Sequence, residues 1–232
     1  MFRMRILLAS LASLCLLLVL PAYGSIIVVS GEVTEIPAPA SIQPGQLLSD
    51  SAIYLFNEQV DLTLPSSVTV GISQPGSYTV GGSTPLTPGT LAAGVTVNSY
   101  LLRAAPESNP ADANNRQFEG EITFGDGEKI IGIMLGADNI GATDIIFGAP
   151  GTSYPPGSLA NGGLEPGDFI WVSGNDETVY VSFHVDADTS GMDMIRILTS
   201  TVPEPADFLL MGSGLAVLGL LKRQSLRRLF HR

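Results

Sequence analysis

Apolar side chains recur at every second position through most of this chain's interior, and that spacing limits its folds more than any other feature. Val60, Leu62 and Leu64 alternate with polar residues, and Val68, Val70 and Ile72 repeat the pattern. It returns at Val95, Val97, Ser99 and Leu101, at Phe118, Gly120, Ile122 and Phe124, and at Ile131, Ile133 and Leu135. Val179, Val181, Phe183 and Val185 follow, then Ile195 and Ile197. Successive side chains of a strand point to opposite faces, so a two-residue apolar period marks strands with one buried face. The β-branched residues frequent in these runs suit a pleated surface. Turn chemistry separates them at Pro75-Gly76, Gly81-Gly82, Pro88-Gly89, Gly125-Asp126-Gly127 and Gly174-Asn175-Asp176. Gly125-Asp126-Gly127 reads as a hairpin turn. No interior segment carries a helical repeat. Short strands without alternating helices predict an all-β antiparallel β-sandwich.

Residues 25–49 add a strand and then Pro37, Pro39 and Pro44, the pattern of an edge strand with a rigid connection. Residues 107–115 read as a polar surface loop, and 148–167 as a long glycine- and proline-rich excursion.

The two ends differ from this interior. Arg3 and Arg5 precede an apolar run over 6–20, which Pro21 breaks. Ala22-Tyr23-Gly24 puts small residues three and one positions before a cut between Gly24 and Ser25. That is the pattern of a cleaved secretory signal over 1–24, handled by the secretion machinery and signal peptidase. The run is short for a span of about 20 residues. Cys15 follows Leu14 in mid-run, which does not fit a lipoprotein site.

Export sets the terms for what lies between. Residues 25–205 hold four basic and 21 acidic residues, a net charge of −17. Such a surface repels phosphate backbones, so nucleic acid is excluded as a partner. The one cysteine lies in the signal, so no disulfide can staple the exported domain. Burial and hydrogen bonding must hold it together.

At the other end, 206–221 is apolar apart from Asp207 and Ser213. As a helix it would be about 24 Å long, somewhat less than a ~30 Å hydrocarbon core. Lys222, Arg223, Arg227, Arg228 and Arg232 follow at once, which places this end in the cytoplasm. Gly212 and Ala216 form a small-xxx-small pair suited to helix packing. Ahead of the apolar stretch, Pro203 and Pro205 block helix continuation and hold Glu204 in an extended, accessible segment.

The order Pro203-Glu204-Pro205, short apolar helix, basic end resembles the PEP-CTERM sorting signal of Gram-negative bacteria. The resemblance implies a protein exported, held transiently in the inner membrane by a single transmembrane helix over 206–221, and processed by an exosortase at the Pro-Glu-Pro segment. It implies a cell-surface or secreted destination and an association with extracellular polysaccharide. The stretches LTPGTLAAGVTVNSYLLRA, GAPGTSYPPGSLANGGLEPGDFIWVSG and DMIRILTS also look like segments that recur in domains carrying this signal. The division expected is signal peptide 1–24, β-sandwich 25–201 and sorting signal 202–232, with motif 203–205, helix 206–221 and tail 222–232.

The interior offers little catalytic chemistry. His184 is the only histidine between the two ends, so zinc coordination of the usual kinds is not expected. Neither a nucleophile elbow nor a phosphate-binding or dinucleotide glycine loop occurs. His184 alternates with Phe183 and Val185, which puts it on the solvent side of its strand. No enzymatic activity and no cofactor are therefore expected. In HVDADTSGMD, Asp186, Asp188 and Ser190 imitate the opening of a calcium loop, with Asp193 in the turn beyond. The twelfth position of such a loop is Ile197 instead of the bidentate glutamate an EF-hand needs, so a looser calcium site competes with a plain polar turn. Trp171, Phe169 and Tyr180 suggest a platform for sugar rings, but Trp171 and Phe169 share strand parity and default to the core. A non-enzymatic envelope protein, a carbohydrate-binding or adhesive module, and a secreted hydrolase with paired carboxylates are the three classes that fit.

Overall fold

A computed structural model describes residues 26–82, 85–107, 116–125, 127–155, 164, 166–185 and 192–201. The cleavage site at Gly24 and Ser25, the sorting motif Pro203, Glu204 and Pro205, the apolar segment 206–221 and the basic cluster Lys222, Arg223, Arg227 and Arg228 lie outside the described residues. Among the described residues no helix is long and apolar enough to cross a membrane.

Two five-stranded sheets form the framework, as the alternation requires. The outer sheet runs β1 (Ile26–Gly31), β8 (Arg116–Phe124), β11 (Thr178–Val185), β10 (Phe169–Val172), β5 (Gly76–Thr79). The inner sheet runs β2 (Val33–Glu35), β3 (Ile53–Thr63), β7 (Thr96–Ala104), β12 (Asp193–Thr201), β9 (Glu128–Leu135). Every pairing is antiparallel except β2 with β3, which is parallel. A two-stranded ribbon of β4 (Val68–Val70) and β6 (Gly89–Leu91) lies apart.

The main core fills the space between the sheets. Phe118, Ile122, Phe124, Val179, Val181 and Phe183 of the outer sheet meet Leu55, Tyr100, Leu102, Ile133, Ile195 and Ile197 of the inner one. Tyr100 and Phe124 bridge the layers with ring centroids 5.0 Å apart. The inner sheet is covered on its other face as well. Phe56, Leu101, Met134, Met194 and Leu198 pack there against Val68, Val70, Ile42 and a helix, α1 (Ala137–Phe147). The fold is therefore sandwich-like and all-β, with a third covering layer. Two-sided burial explains why β7 and β12 are buried along nearly their whole length instead of alternating.

Two expectations are corrected. The helix α1 was not foreseen, because its inward face is only partly apolar. Ile140 and Phe147 are buried, while Thr143 and Asp144, in the positions between them, carry polar groups with a task described below. The segment Gly125-Asp126-Gly127 is not a hairpin turn. β8 pairs with β1 and β11, and β9 pairs with β12, so the chain crosses here from the outer sheet to the inner one. A glycine-rich turn specifies a reversal but not which strand will pair with which. Gly174-Asn175-Asp176, in contrast, does close a hairpin, with Val172 paired to Val179.

The prediction of an edge strand followed by a connection holds at β1, the outer sheet's edge. Past Gly31 the chain leaves that edge and becomes β2, the edge of the inner sheet. Gly31 pairs directly with Gly120 and adopts φ +68°. A Cβ on Gly31 would lie 2.5 Å from the Glu119 carbonyl oxygen, and one on Gly120 would lie 2.4 Å from a Val33 methyl. Only a glycine pair lets the two backbones approach this closely at the corner.

Candidate functional site

Alternation along β10 and β11 sorts their side chains between the core and the solvent. Ile170 and Val172 are buried and pair with Val181 and Val179, so Phe169 and Trp171 point the other way. This corrects the default assignment of both aromatics to the core. Trp171 is 36% exposed, and Phe169 and Tyr180 are half-buried. Trp171 stands directly opposite Tyr180 across the β10–β11 pair, and the Phe169 and Tyr180 rings lie 6.1 Å apart. Three aromatic rings thus share one patch on the outward face.

Polar groups extend the patch across β8. Tyr180 pairs with Glu121, Ser182 with Glu119, and His184 with Gln117. The Gln117 amide donates to Glu119 Oε1 at 2.7 Å and to Ser182 Oγ at 2.8 Å. The Tyr180 hydroxyl also hydrogen-bonds Glu119; its pKa is raised by burial first, then by that bond and by the Glu119 charge. Glu32, at the β1–β2 corner, accepts the Glu119 backbone N–H at 2.8 Å. Gly31, Glu32, Gln117 and Glu119 line an open groove of about 420 Å³ at this edge. The face therefore combines apolar ring surface with oriented amide and carboxylate groups, the two kinds of surface a polyhydroxylated ligand engages. His184 lies on this outward side, half-buried, as its alternation predicted.

A second polar cluster is buried on the far side of the inner sheet. Arg196 Nε donates to Glu58 Oε2 at 2.6 Å and Nη2 donates to Glu58 Oε1 at 2.8 Å. Nη2 also donates to Asp144 Oδ1 at 2.7 Å, and Nη1 donates to Thr143 Oγ1 and to the Ile140 carbonyl of α1. Tyr154 donates to Glu58 Oε1 at 2.8 Å, and Ser99 donates to Oε2 at 2.7 Å. Burial alone would lower the Arg196 pKa, but the charges and hydrogen bonds of Glu58 and Asp144 outweigh it and raise it. The Asp144 carboxyl is held above its ordinary range chiefly by burial, against the pull of Arg196. Tyr154 is pushed up by burial and the Glu58 charge. Sealed between sheet and helix, this network fastens α1 and the Tyr154 loop to the sheet. Glu58 is 3% exposed, so this carboxylate pair is closed to a glycoside substrate.

Of the proposed calcium ligands, Asp186, Asp188 and Ser190 lie outside the described residues. Asp193 does not sit in the turn; it is the first residue of β12, paired with Ala104 and buried. Among the described residues no three histidine, cysteine or acidic side chains group closely enough to hold a metal ion.

Sequence reasoning missed the Arg196 cluster. Its one signal was the arginine itself, a lone charge inside the apolar run MIRIL of a strand buried on both faces. No family model, curated protein or solved structure matches this chain.

Proposed function

We propose that this chain is an exported, non-catalytic cell-envelope or extracellular protein whose β-domain binds polysaccharide through the outward face of its outer sheet. The exposed placement of Trp171 beside Tyr180 and Phe169 carries this reading, because an apolar ring left in water on a sheet face offers a stacking surface for sugar rings. The neighbouring Gln117 and Glu119, both exposed, supply hydrogen-bonding groups for hydroxyls. A carbohydrate-binding or adhesive module thus becomes the favoured assignment for the domain. Trp171 is the chain's single tryptophan, so its emission reports on this face alone. A shift or quenching of that emission on titration with polysaccharide supports the reading, and an unchanged spectrum across a broad glycan panel removes it.

The address is the second part of the proposal. The Pro203-Glu204-Pro205 motif, the apolar 206–221 stretch and the basic cluster starting at Lys222 support export, transient insertion in the inner membrane and processing by an exosortase. The intact mass of the protein recovered from its host tests this. A chain that starts at Ser25 and ends in the Pro-Glu-Pro region supports it, and a chain still ending at Arg232 in a host with active exosortase rules it out. Calcium binding around Asp186 and Asp188 keeps a separate test. A melting temperature raised by millimolar calcium supports it, and an unchanged one eliminates it.

A further inference from the structure

We infer that the outer-sheet face selects cationic amino-sugar polymers over neutral and acidic ones. This rests on the polysaccharide-binding reading and names the ligand class.

Apart from His184, which lies on this face opposite Gln117, the basic side chains of residues 25–205 are three arginines and one lysine, and each is engaged away from it. Arg116 pairs with Asp50 at 2.7 Å and lies over the Phe118 ring. Lys129 pairs with Glu177 at the β10–β11 turn. Arg196 is enclosed by Glu58 and Asp144, and Arg103 is buried against the Ile42 carbonyl. Glu32, Glu119 and Glu121 therefore have no lysine or arginine among the described residues to neutralise them. Negative charge on this face is left for a ligand to meet.

The placement of that charge relative to the rings gives the ligand its shape. The cross-strand row reads Ser77, Trp171, Tyr180, Glu121, Ser30, and the next reads Thr79, Phe169, Ser182, Glu119. Adjacent strands are about 4.8 Å apart, so a polymer laid across them passes from ring surface to carboxylates within a few strands. A protonated amino sugar satisfies both halves. Its C–H face stacks on Trp171 and Tyr180, and its ammonium group meets the ring faces and the glutamates. Gln117 and the Tyr180 hydroxyl already orient the Glu119 carboxylate, which lowers the ordering cost of binding. A polyuronate would place like charges against Glu119 and Glu121 and be repelled.

The test is calorimetry on the full chain in an uncharged, sugar-free polyoxyethylene detergent at slightly acidic pH. The probes are a glucosamine oligomer, its N-acetylated counterpart, a glucose oligomer and a guluronate oligomer. The glucosamine oligomer should bind about tenfold more tightly than the acetylated one, with the gap narrowing as salt rises. The double variant Glu119→Gln/Glu121→Gln should bring the two affinities together, Asp61→Asn on β3 should leave the gap in place, and Trp171→Ala should remove binding of both. Equal, salt-independent affinities would overturn the charge selectivity and leave the platform standing. A gap closed equally by Asp61→Asn would assign it to net charge and overturn the site. No binding by any glycan would remove the inference and the underlying reading together.

Discussion

Arg196 and Glu58 meet through two nearly parallel hydrogen bonds, Nε to Oε2 at 2.6 Å and Nη2 to Oε1 at 2.8 Å, with both side chains fully buried. The bidentate fork carries more than neutral bonds would, because both partners are charged and water is excluded. Glu58 comes from β3 and Arg196 from β12, with β7 between them. The pair therefore spans three strands of the inner sheet and adds α1 through Asp144 and Thr143.

Breaking one side of that pair should cost more than removing both. Arg196→Met leaves Glu58 charged and buried with only Ser99 and Tyr154 as donors, and should cost about 3–5 kcal/mol in urea unfolding. The double variant Arg196→Met/Glu58→Leu should recover a large part of that loss. If the single variant unfolds at the wild-type urea concentration, the cluster does not carry the role assigned to it.

The corner between the sheets should tolerate no side chain at Gly31. With φ +68° and the Glu119 carbonyl 2.5 Å from the added carbon, Gly31→Ala combines backbone strain with a backbone clash. A loss of about 1–3 kcal/mol is expected. Gly45→Ala is the comparison, since it shares a positive φ of 77° but meets nothing within 4 Å. A thermal melt that ranks Gly31→Ala with Gly45→Ala would contradict the corner geometry.

Arg103 predicts a dependence on pH. Burial holds its pKa down to about 10, well below the ordinary arginine value. Between those values the unfolded chain binds the extra proton, so this group adds stability as pH rises and is a net cost at neutral pH. Relative to Arg103→Met, wild type should therefore gain stability as pH climbs above about 10, so any margin the variant holds at pH 7 should shrink. Melting temperatures of both proteins across that range check the sign; a gap that widens with pH would reverse it.

Trp171 on an open face should be reachable by small quenchers. Acrylamide should quench the native emission substantially, and Trp171→Ala should lower the melting temperature by less than Phe183→Ala, since Trp171 is already 36% exposed and Phe183 is fully buried. Emission shielded until the protein unfolds would return Trp171 to the core.

The alternation of Phe118, Ile122 and Phe124, and of Val179, Val181 and Phe183, was legible as strands with a buried face, and those residues are buried. Trp171 and Phe169 were harder. Their shared parity showed that they lie on one side of β10 but not which side, since that depends on pairing with Val179 and Val181 of β11. The helix α1 escaped because Thr143 and Asp144 occupy its inward face to serve an arginine 52 residues away from Asp144. The calcium reading put Asp193 in a turn because MDMIRILTS does not show where β12 begins.

Local chemistry by itself determined the strands, the acidic and disulfide-free character of the interior, and the contrast between that interior and its two ends. These follow from side-chain period, charge and residue inventory, which act over a few neighbours. Tertiary structure alone decided that β8 and β9 belong to different sheets, that the inner sheet is covered twice, that Arg196 finds Glu58, and that Trp171 looks outward. Each of these depends on which distant strands pair, and that is settled by burying the whole apolar surface at once, a condition no short window of sequence contains.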